Sequence, residues 1–318
     1  MKRIAVVYGG FSSEVEISIK SGKSVAGWLR NAGYDVYEVL LTKEEWCVVE
    51  ESGRYIIDRN DFSCTIDSEK ITFDKVFIII HGDPGENGLL QAYFEMLDIP
   101  FIGSSSLVTA IAFDKYACKS YLRGKGVNLA KDLYIRKGEE ISPDEILKEL
   151  KLPVFVKPTN GGSSFGVSKV KKAEELPAAL EVAFKEGDGV LIEEGIVGRE
   201  IDCGVYKDSK GSHALPLIEI VSKNEFFDYE AKYLGASDEI CPAPLDEQTT
   251  LRVQEEAVKI FDILGFMRYD FMVTAEGIPY FLEANPNPGM TAASLVPQMV
   301  AQAGMKMEDF LSALIEEK

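Results

Sequence analysis

Apolar and polar positions in the first hundred residues alternate between strand-like and helix-like patterns. Short runs of apolar, largely β-branched residues predict strands at 3–8, 36–41 and 76–80. Ser13, with Glu16 three residues later, predicts a capping box at the start of a helix that ends at Gly33. A second helix is predicted at 87–97, before a short strand around Phe101. Strands that alternate with helices are typical of a parallel sheet, here in a Rossmann-like lobe.

The rest of the chain predicts two further lobes. A helical stretch from Ser104 carries Asp114 and Lys115. It stops at 124–128, before a strand near Leu133. Apolar strands are then predicted at 153–158, 167–170 and 190–194. A glycine-serine loop is predicted at 160–166 and a helix at 174–185. No internal repeat or extended linker interrupts the pattern, so we predict three closely joined lobes, at 1–103, 104–193 and 194–318.

Residues 266–290 carry the most informative pattern, because two alternating runs flank a short turn at 276–277. If those two turn residues form the loop of a β-hairpin, four polar residues share one face as two cross-strand pairs, Asp270 with Glu283 and Arg268 with Asn285. The other face is predicted to pack on the core and carries Tyr269, Phe271, Val273, Tyr280, Leu282 and Ala284.

The polar face of this hairpin is a candidate metal site. Two carboxylates directly opposite each other repel, so a cation is expected between Asp270 and Glu283. Oxygen ligands without nearby His or Cys favour a hard ion, and Mg²⁺ that bridges nucleotide phosphates is the usual form of such a site. The alternative is a solvated face on which Arg268 neutralises both acids. The loop at 285–289 is stiffened by two prolines, and Gly289 permits close approach of a ligand.

The glycine-serine loop at 160–166 is a candidate phosphate site, because its N–H groups and hydroxyls can converge on an anion. It has neither the Lys-Ser/Thr of a Walker loop nor the GxGxxG spacing of a dinucleotide site, and an ordinary turn is the alternative. Lys157 ends the apolar strand before this loop. An unpaired ammonium there would be poorly placed unless a phosphate meets it.

Composition narrows the classes of function. The 318 residues are 46% hydrophobic, which is enough for a substantial core, and carry a formal charge of -18, which disfavours binding to nucleic acid. No apolar run approaches the roughly 20 residues of a membrane span. The cysteines are scattered without metal-binding spacing and are interpreted as reduced thiols: Cys47, Cys64, Cys118, Cys203 and Cys241. We therefore expect a cytoplasmic protein with no nucleic-acid or membrane partner.

Nine segments occur in one order along nearly the whole chain. They are YGGFSSEVEIS, HGDPGENG, IPFIGSS, FDKYACK, FVKPTNGGSSFGVSKV, VLIEEGIVGRE, FFDYEAKY, MRYDFMV and LEANPNPGMTAASLVP. Together they resemble the D-alanine:D-alanine ligases of the ATP-grasp superfamily. The resemblance implies an α/β ATP-grasp fold, with a Rossmann-like N-terminal lobe and two α+β lobes that clamp ATP. It also implies ATP-dependent joining of two D-alanine molecules through a D-alanyl phosphate, for peptidoglycan precursor synthesis.

The resemblance implies roles for single residues around the nucleotide. Lys115 and Lys157 would hold the ATP phosphates, and Glu193 and Glu200 would bind adenine and ribose. The further ATP contacts, including the loop that closes over the γ-phosphate, would be Gly162, Ser163, Ser164 and Lys232. Two Mg²⁺ ions, for which Mn²⁺ can substitute, would be held by Asp270, Glu283 and Asn285.

The resemblance also implies roles around the amino acids. The first D-alanine would form an acyl phosphate, which the amine of the second would attack. Arg268 and the Gly289 N–H, expected on facing strands of the hairpin, would stabilise the tetrahedral oxyanion. The remaining substrate contacts would be Glu14 at the first ammonium, His81 close to the first substrate, and Ser294 and Leu295 at the second carboxylate.

The aromatic segment FFDYEAKY is expected to be a closing lid, and a core strand edge is the alternative. By resemblance, Tyr233 in the lid would hydrogen-bond to Ser163 and Glu14, and would favour an amine as second substrate. Asn287 stands where Thr or Ser is usual in the family, close to the expected second subsite. That subsite is therefore expected to tolerate D-serine or another small D-amino acid.

Two other functions remain open. One is an ATP-grasp ligase that joins D-alanine to another small D-amino acid, or that acts on a different acid and amine. The other is a non-catalytic nucleotide-binding protein, which the full set of phosphate and metal residues argues against. The expected partners are small molecules, and relatives are commonly homodimers, so a homodimer is expected.

Overall fold

The structure is a computed structural model that describes residues 1–162, 164–222 and 237–317. The N-terminal part contains helices α1 (Val15–Asn31) and α2 (Leu89–Met96). Its strands are β1 (Arg3–Gly9), β2 (Asp35–Leu41), β3 (Trp46–Glu50), β4 (Gly53–Ile56), β5 (Cys64–Ile66), β6 (Glu69–Ile71), β7 (Lys75–Ile78) and β8 (Phe101–Ile102). The main sheet has the order β4-β3-β2-β1-β7-β8, and β5 pairs with β6. Strands β2, β1, β7 and β8 run parallel, as predicted, whereas the short strands β3 to β6 were missed.

Helix α1 begins differently from the prediction. Its N-cap is Glu14, and no side chain caps the helix, so the capping box predicted from Ser13 and Glu16 is wrong. Ser12 takes part instead, because its Oγ accepts from the Glu14 N–H at 3.2 Å and donates to the His81 carbonyl at 2.8 Å. The start of α1 is thereby fixed to the loop after β7.

The middle of the chain forms a four-stranded antiparallel sheet with the order β11-β10-β12-β9. Its strands are β9 (Asp132–Arg136), β10 (Val154–Pro158), β11 (Ser168–Val170) and β12 (Gly189–Glu194). Its helices are α3 (Ser106–Phe113), α4 (Lys115–Leu122), α5 (Pro143–Glu149) and α6 (Leu176–Ala183), the last preceded by a 3-10 turn at Ala173–Glu175. The predicted helix after Ser104 is two helices, because Asp114 is extended and its Oδ1 caps α4 by accepting from the Ala117 N–H at 2.7 Å.

The C-terminal part forms an antiparallel sheet with the order β16-β15-β13-β17-β18, and β14 also pairs with β13. Its strands are β13 (Arg199–Asp208), β14 (Gly211–Ala214), β15 (Ile218–Ser222), β16 (Ser237–Ile240), β17 (Phe266–Val273) and β18 (Pro279–Asn285). The helices are α7 (Glu247–Ile260), α8 (Leu295–Gln302) and α9 (Met307–Glu316). No helix in the described parts of the chain is both long and apolar enough to cross a bilayer.

The β17–β18 hairpin has the predicted polar pairs but a different turn. Arg268 lies opposite Asn285 and Asp270 opposite Glu283, whereas Phe271 pairs with Phe281. The turn is therefore one residue longer than predicted, and Leu282 is the extra residue of a bulge that restores the register. The prediction of the apolar face is wrong for Tyr280 and Leu282, which are only half-buried, because the longer turn places Phe281 opposite Phe271 on the core face instead.

One hydrophobic core joins the two ends of the chain. Ile4 and Val6 of β1 pack in the same cluster as Phe266 of β17 and Phe310 of α9. Met290, in the loop after β18, lies in this cluster and is fully buried. The loops after β7 and β18, which both carry predicted site residues, are therefore held next to each other by a common core.

Candidate active site

Two cavities meet where the three sheets approach one another. The small cavity, of about 340 Å³, lies between the start of α1, the loop after β7 and the loop after β18. The large cavity, of about 590 Å³, lies between β10, the end of β12 and the hairpin. Lys115, Gly161, Gly162 and Glu283 line both cavities. A ligand in one cavity can therefore approach a ligand in the other at these four residues.

Every predicted site residue that the structure describes lines one of these cavities. The small cavity takes Glu14, His81, Arg268, Asn285, Gly289, Ser294 and Leu295. The large cavity takes Lys157, Ser164, Glu193, Glu200 and Asp270. Lys115, Gly162 and Glu283 belong to both. The predicted lid at 226–233, with Lys232 and Tyr233, and also Ser163, lie outside the described residues.

Lys115 stands at the junction of the cavities. Its Nζ donates to the Gly161 carbonyl at 3.0 Å and lies 3.3 Å from the Glu283 carboxylate. Its backbone N–H, at the start of α4, donates to the Thr159 carbonyl at 2.8 Å. These contacts hold the lysine between the 160–166 loop and the hairpin, where its ammonium faces both cavities.

Each of the two acids of the hairpin has a cationic partner. Arg268 binds Asp270 with two hydrogen bonds, from Nε to Oδ1 at 2.7 Å and from Nη2 to Oδ2 at 2.8 Å. Glu283 is instead paired with Lys115. Arg268 therefore shares the neutralisation of the two acids with Lys115, because Glu283 interacts with both cations.

A third acid on the neighbouring strand β13 also faces Arg268. Asp202 is fully buried, pairs in register with Asp270, and has an Oδ2 3.3 Å from the Nε of Arg268. Burial opposes the charge of this guanidinium, but Asp270 and Asp202 outweigh burial and raise the pKa of Arg268. The arginine is therefore a fixed cation. No sequence pattern indicated Asp202, because its role depends on the pairing of β13 with β17.

The donor set of Asp270, Glu283 and Asn285 fits a hard cation. Asn285 donates from Nδ2 to Oδ2 of Asp270 at 2.9 Å, and Glu283 lies opposite Asp270 in the hairpin. Within the described ranges, no three acidic, histidine or cysteine side chains converge as a metal cluster. The predicted set is not of that type, because its third member is an amide. Carboxylate and amide oxygens are the ligands that Mg²⁺ accepts, usually together with water and phosphate.

Lys157 is not the unpaired ammonium that its sequence position indicated. It forms an ion pair with Glu193, which also accepts from Lys119. Burial opposes the charge of Lys157, but Glu193 outweighs burial and raises the pKa of Lys157. The lysine is therefore charged without any ligand.

Two family descriptions match the chain, "D-ala D-ala ligase N-terminus" at residues 3–104 and "D-ala D-ala ligase C-terminus" at residues 122–316. The chain belongs to the D-alanine:D-alanine ligase family. A relative from Phocaeicola vulgatus, named D-alanine–D-alanine ligase, is 46% identical over 323 residues that cover the whole of both chains. The family resemblance of the sequence is thereby confirmed.

Solved structures of the family agree with the fold. The VanG D-Ala:D-Ser ligase from Enterococcus faecalis is 31% identical and superposes with a TM-score of 0.88 over 99% of this chain and 98% of that chain. A D-alanine–D-alanine ligase from Bacillus anthracis, complexed with ATP, is 30% identical with a TM-score of 0.80 over 100% of this chain and 97% of that chain. The ATP-grasp fold expected from the sequence is confirmed.

The loop after β18 differs from the expectation. Strand β18 ends at Asn285, so Gly289 lies in the following loop and not on a strand that faces Arg268. A Cβ on Gly289 would lie 2.9 Å from the Ser294 Oγ. A side chain at this position would therefore displace Ser294, which precedes the first turn of α8.

Asn287 is buried and fastens this loop to the N-terminal part of the chain. Its Nδ2 donates to the Ile80 carbonyl at 3.2 Å and to the Gly85 carbonyl at 2.8 Å. Its backbone N–H donates to Oε1 of Glu86 at 3.3 Å. The amide of Asn287 is thus committed to the loop after β7.

Glu86 is a cavity residue that the sequence analysis missed. It is only 8% exposed, and its Oε2 accepts from the Gly82 N–H at 2.7 Å. Burial, together with the charge of Glu14, raises the pKa of Glu86 to about 8. Burial likewise lowers the pKa of His81, which lies 3.4 Å from the Ser21 Oγ through its Nε2. The small cavity therefore holds a histidine that is neutral near pH 7.

The raised pKa of Glu86 predicts a pH-dependent stability difference. Its value is about 8 in the folded chain, against an ordinary value of 4.5, so the folded chain binds the proton more tightly than the unfolded chain. This contribution to stability is fully present below about pH 4.5 and is lost as the pH rises through about 8. In urea unfolding, the free energy of unfolding of Glu86→Gln relative to that of the wild type should rise between pH 5 and pH 8, by up to about 4 kcal/mol.

The informative quantity is how the stability difference between Glu86→Gln and the wild type changes with pH. Any effect of the amide on packing or hydrogen bonding is the same at every pH and does not contribute to that change. Glu44→Gln, at an exposed glutamate, is the matched control and should follow the wild type at every pH. A Glu86→Gln difference that stays constant from pH 5 to pH 8 would contradict the prediction.

Proposed function

We propose that this chain joins two D-alanine molecules into D-alanyl-D-alanine, with cleavage of ATP to ADP and phosphate, for peptidoglycan precursor synthesis. The observation that carries the proposal is the meeting of two cavities at Lys115 and Glu283, one sized for a nucleotide and one lined for small amino acids. Relatives named D-alanine–D-alanine ligase, at up to 46% identity over the full length of the chain, support the substrate.

In the first step, the carboxylate of one D-alanine would attack the γ-phosphorus of ATP. An oxygen–phosphorus bond forms to the carboxylate, and the bond from the γ-phosphorus to ADP breaks. Lys115 and Lys157, both already charged cations at the large cavity, would bind the phosphate oxygens. Glu14, at the small cavity, would bind the ammonium of this D-alanine, with His81 alongside.

In the second step, the amine of the other D-alanine would attack the acyl carbon. The oxyanion that forms would accept hydrogen bonds from Arg268 and from the Gly289 N–H. The carboxylate of this second D-alanine would lie at Ser294 and Leu295, where the first N–H groups of α8 are free of helical partners. Collapse of the tetrahedral intermediate releases phosphate, together with the oxygen that came from the first carboxylate.

Mg²⁺ is the proposed metal, at Asp270, Glu283 and Asn285, and Mn²⁺ is chemically equivalent there. When bound, the ions would neutralise charge on the phosphates. At the opposite end of the nucleotide, Glu193 and Glu200 would bind adenine and ribose, and Gly162 and Ser164 would lie over the phosphates. The assignments of Ser163, Lys232 and Tyr233 to the phosphate loop and lid stay predictions, as does the division at residues 103 and 193.

The second subsite has one departure that bears on its substrate. Asn287 was expected to widen specificity, but its amide is committed to the carbonyls of Ile80 and Gly85. This supports D-alanine as the second substrate. D-serine stays a second candidate, because a structural neighbour at 31% identity is a D-Ala:D-Ser ligase.

ADP release tests the proposed function. The purified chain with ATP and Mg²⁺ should release ADP with D-alanine alone, should give the dipeptide and phosphate in equal amounts, and should be silent with L-alanine. D-alanine mixed with D-serine should give mainly D-alanyl-D-alanine. Turnover with a different acid and amine only would move the proposal to that pair. ATP binding with no turnover would mean a non-catalytic protein.

A pair of aspartate variants connects this activity to the metal residues. Asp270→Asn should lower kcat/KM by about 100-fold or more, because it removes the negative charge of a proposed Mg²⁺ ligand and weakens its pairing with Arg268. Asp262→Asn, at an exposed aspartate, is the matched control and should keep wild-type activity. Equal activity in both variants would remove Asp270 from the proposed machinery.

We also propose a cytoplasmic homodimer. The five cysteines form no disulfide, as is common in reducing compartments. Leu89 and Met96, seven residues apart on α2, are 62% and 84% exposed, and Leu107 on the adjacent α3 is 68% exposed. An exposed apolar patch of this kind is typical of an interface.

Sedimentation velocity tests the homodimer. Wild-type chain should sediment as a dimer, and Met96→Glu should shift it to monomer, because a charge would then be buried in the interface. Val197→Glu, at an equally exposed apolar residue of another surface, should stay dimeric. A wild-type monomer at micromolar concentration would contradict the proposal.

A further inference from the structure

Lys119 is a fully buried lysine close to the large cavity. It lies on α4, one turn after Lys115. Its Nζ donates to the Ala130 carbonyl at 2.9 Å, lies 2.8 Å from Oδ2 of Asp132, and donates to Oε1 of Glu193. An ammonium has three N–H donors, and here each has an acceptor. Lys119 is therefore held in one position by the protein itself.

Lys119 is the centre of a line of five charges that alternate in sign. Lys157 pairs with Glu193, Glu193 with Lys119, Lys119 with Asp132, and Asp132 with Arg123. The line starts at the large cavity, which Lys157 and Glu193 line, and ends at Arg123, whose side chain is 48% exposed. Glu193 is thus the point at which a buried charge network meets the nucleotide cavity.

Strand register explains why a cation is needed at this point. Strand β12 lies between β10 and β9, and Glu193 is paired with Asp132 on β9. Residues paired in this way have Cβ atoms about 5 Å apart on the same face, so the two carboxylates would repel. Their side chains are only 7% and 4% exposed, so water cannot screen them. Lys119 lies between them and pairs with both.

Glu193 keeps its charge despite burial. Burial alone would raise the pKa of this carboxyl, but Lys157 and Lys119 outweigh burial and lower it. On the other side of β12, Glu193 is paired with Phe155 of the neighbouring strand β10. Phe155 and Ala130 also line the large cavity. An ionised carboxylate beside an aromatic and an alanine is suited to reading the edge of a flat base that lies against them.

We propose that Lys119 is a positioning residue for base recognition: it holds the Glu193 carboxylate ionised and in one orientation, so that the site selects a base with an exocyclic amino group. The proposal rests on the proposed function, in which the large cavity binds ATP with adenine at Glu193. A fixed carboxylate accepts from the amino group at C6 of adenine and repels the carbonyl at C6 of hypoxanthine.

Lys119 suits this role better than Lys157 does. Lys157 also lines the large cavity and is proposed to turn to the ATP phosphates, which would remove one cation from Glu193. Lys119 is enclosed by Ala130, Asp132 and Glu193 and has no access to a phosphate. It is therefore the cation that stays beside Glu193 when nucleotide is bound.

The test is calorimetric binding of ATP and of inosine triphosphate, which differ at C6, to the full chain with Mg²⁺ and without amino acids. The wild type should bind ATP at least about tenfold more tightly, as one hydrogen bond to a charged group provides. Lys119→Met should weaken ATP binding about tenfold and change inosine triphosphate binding less than about twofold. Lys131 is an exposed lysine between Ala130 and Asp132 in the sequence. Lys131→Met is therefore the matched control and should bind both nucleotides as the wild type does.

A double variant covers the event that Lys119→Met folds poorly. Lys119→Met with Asp132→Asn removes the repulsion between the two acids, so it relieves a purely structural defect but leaves Glu193 without its anchor. The proposal expects the preference for ATP to stay lost in the double variant. A preference that survives in Lys119→Met, or that returns in the double variant, would overturn the role of Lys119 alone. A wild type that binds neither nucleotide would overturn the proposed function, and this role with it.

Discussion

Strand register places acidic side chains next to one another at three points, and each of these pairs has a cationic partner. Asp202 faces Asp270 between β13 and β17, Asp270 faces Glu283 within the hairpin, and Asp132 faces Glu193 between β9 and β12. Their cations are Arg268, Lys115 and Lys119. Acids paired without such cations would destabilise the sheets. The same cations are therefore needed for the stability of the fold and for the charge pattern of the site.

These cations also bring different parts of the chain together. Lys115 and Lys119 lie one turn apart on α4, yet one reaches the hairpin and the other reaches the middle sheet. On the opposite side of the small cavity, Asn287 is bonded to the loop after β7 without any charge. The small cavity is therefore closed by neutral hydrogen bonds at the loop after β18 and by the Lys115–Glu283 ion pair at its junction with the large cavity. This difference suits a site in which phosphate charge must be received on one side only.

Local sequence patterns predicted most of the elements and the polar hairpin pairs, but not the contacts that depend on strand order. Asp270 and Glu283 were found because a two-residue turn was assumed; the longer turn and the bulge at Leu282 cancel, and the pairing survives. Ser13 and Glu16 matched a capping pattern, but Ser12 makes the observed bonds, because it can also reach the loop after β7. Lys119, Asp202 and Glu86 became recognisable only in the fold, since each has partners from distant strands or loops. The family resemblance supplied residue roles that the patterns alone left open.

A carboxylate held in the small cavity is proposed to attack the phosphate held in the large one. D-alanine labelled with ¹⁸O in both carboxylate oxygens, incubated with the chain, ATP and Mg²⁺, tests it directly by mass spectrometry of the released phosphate. An acyl phosphate intermediate transfers one labelled oxygen to each phosphate. Unlabelled phosphate, produced together with the dipeptide, would mean that the carboxylate never bonded to phosphorus and would contradict the account.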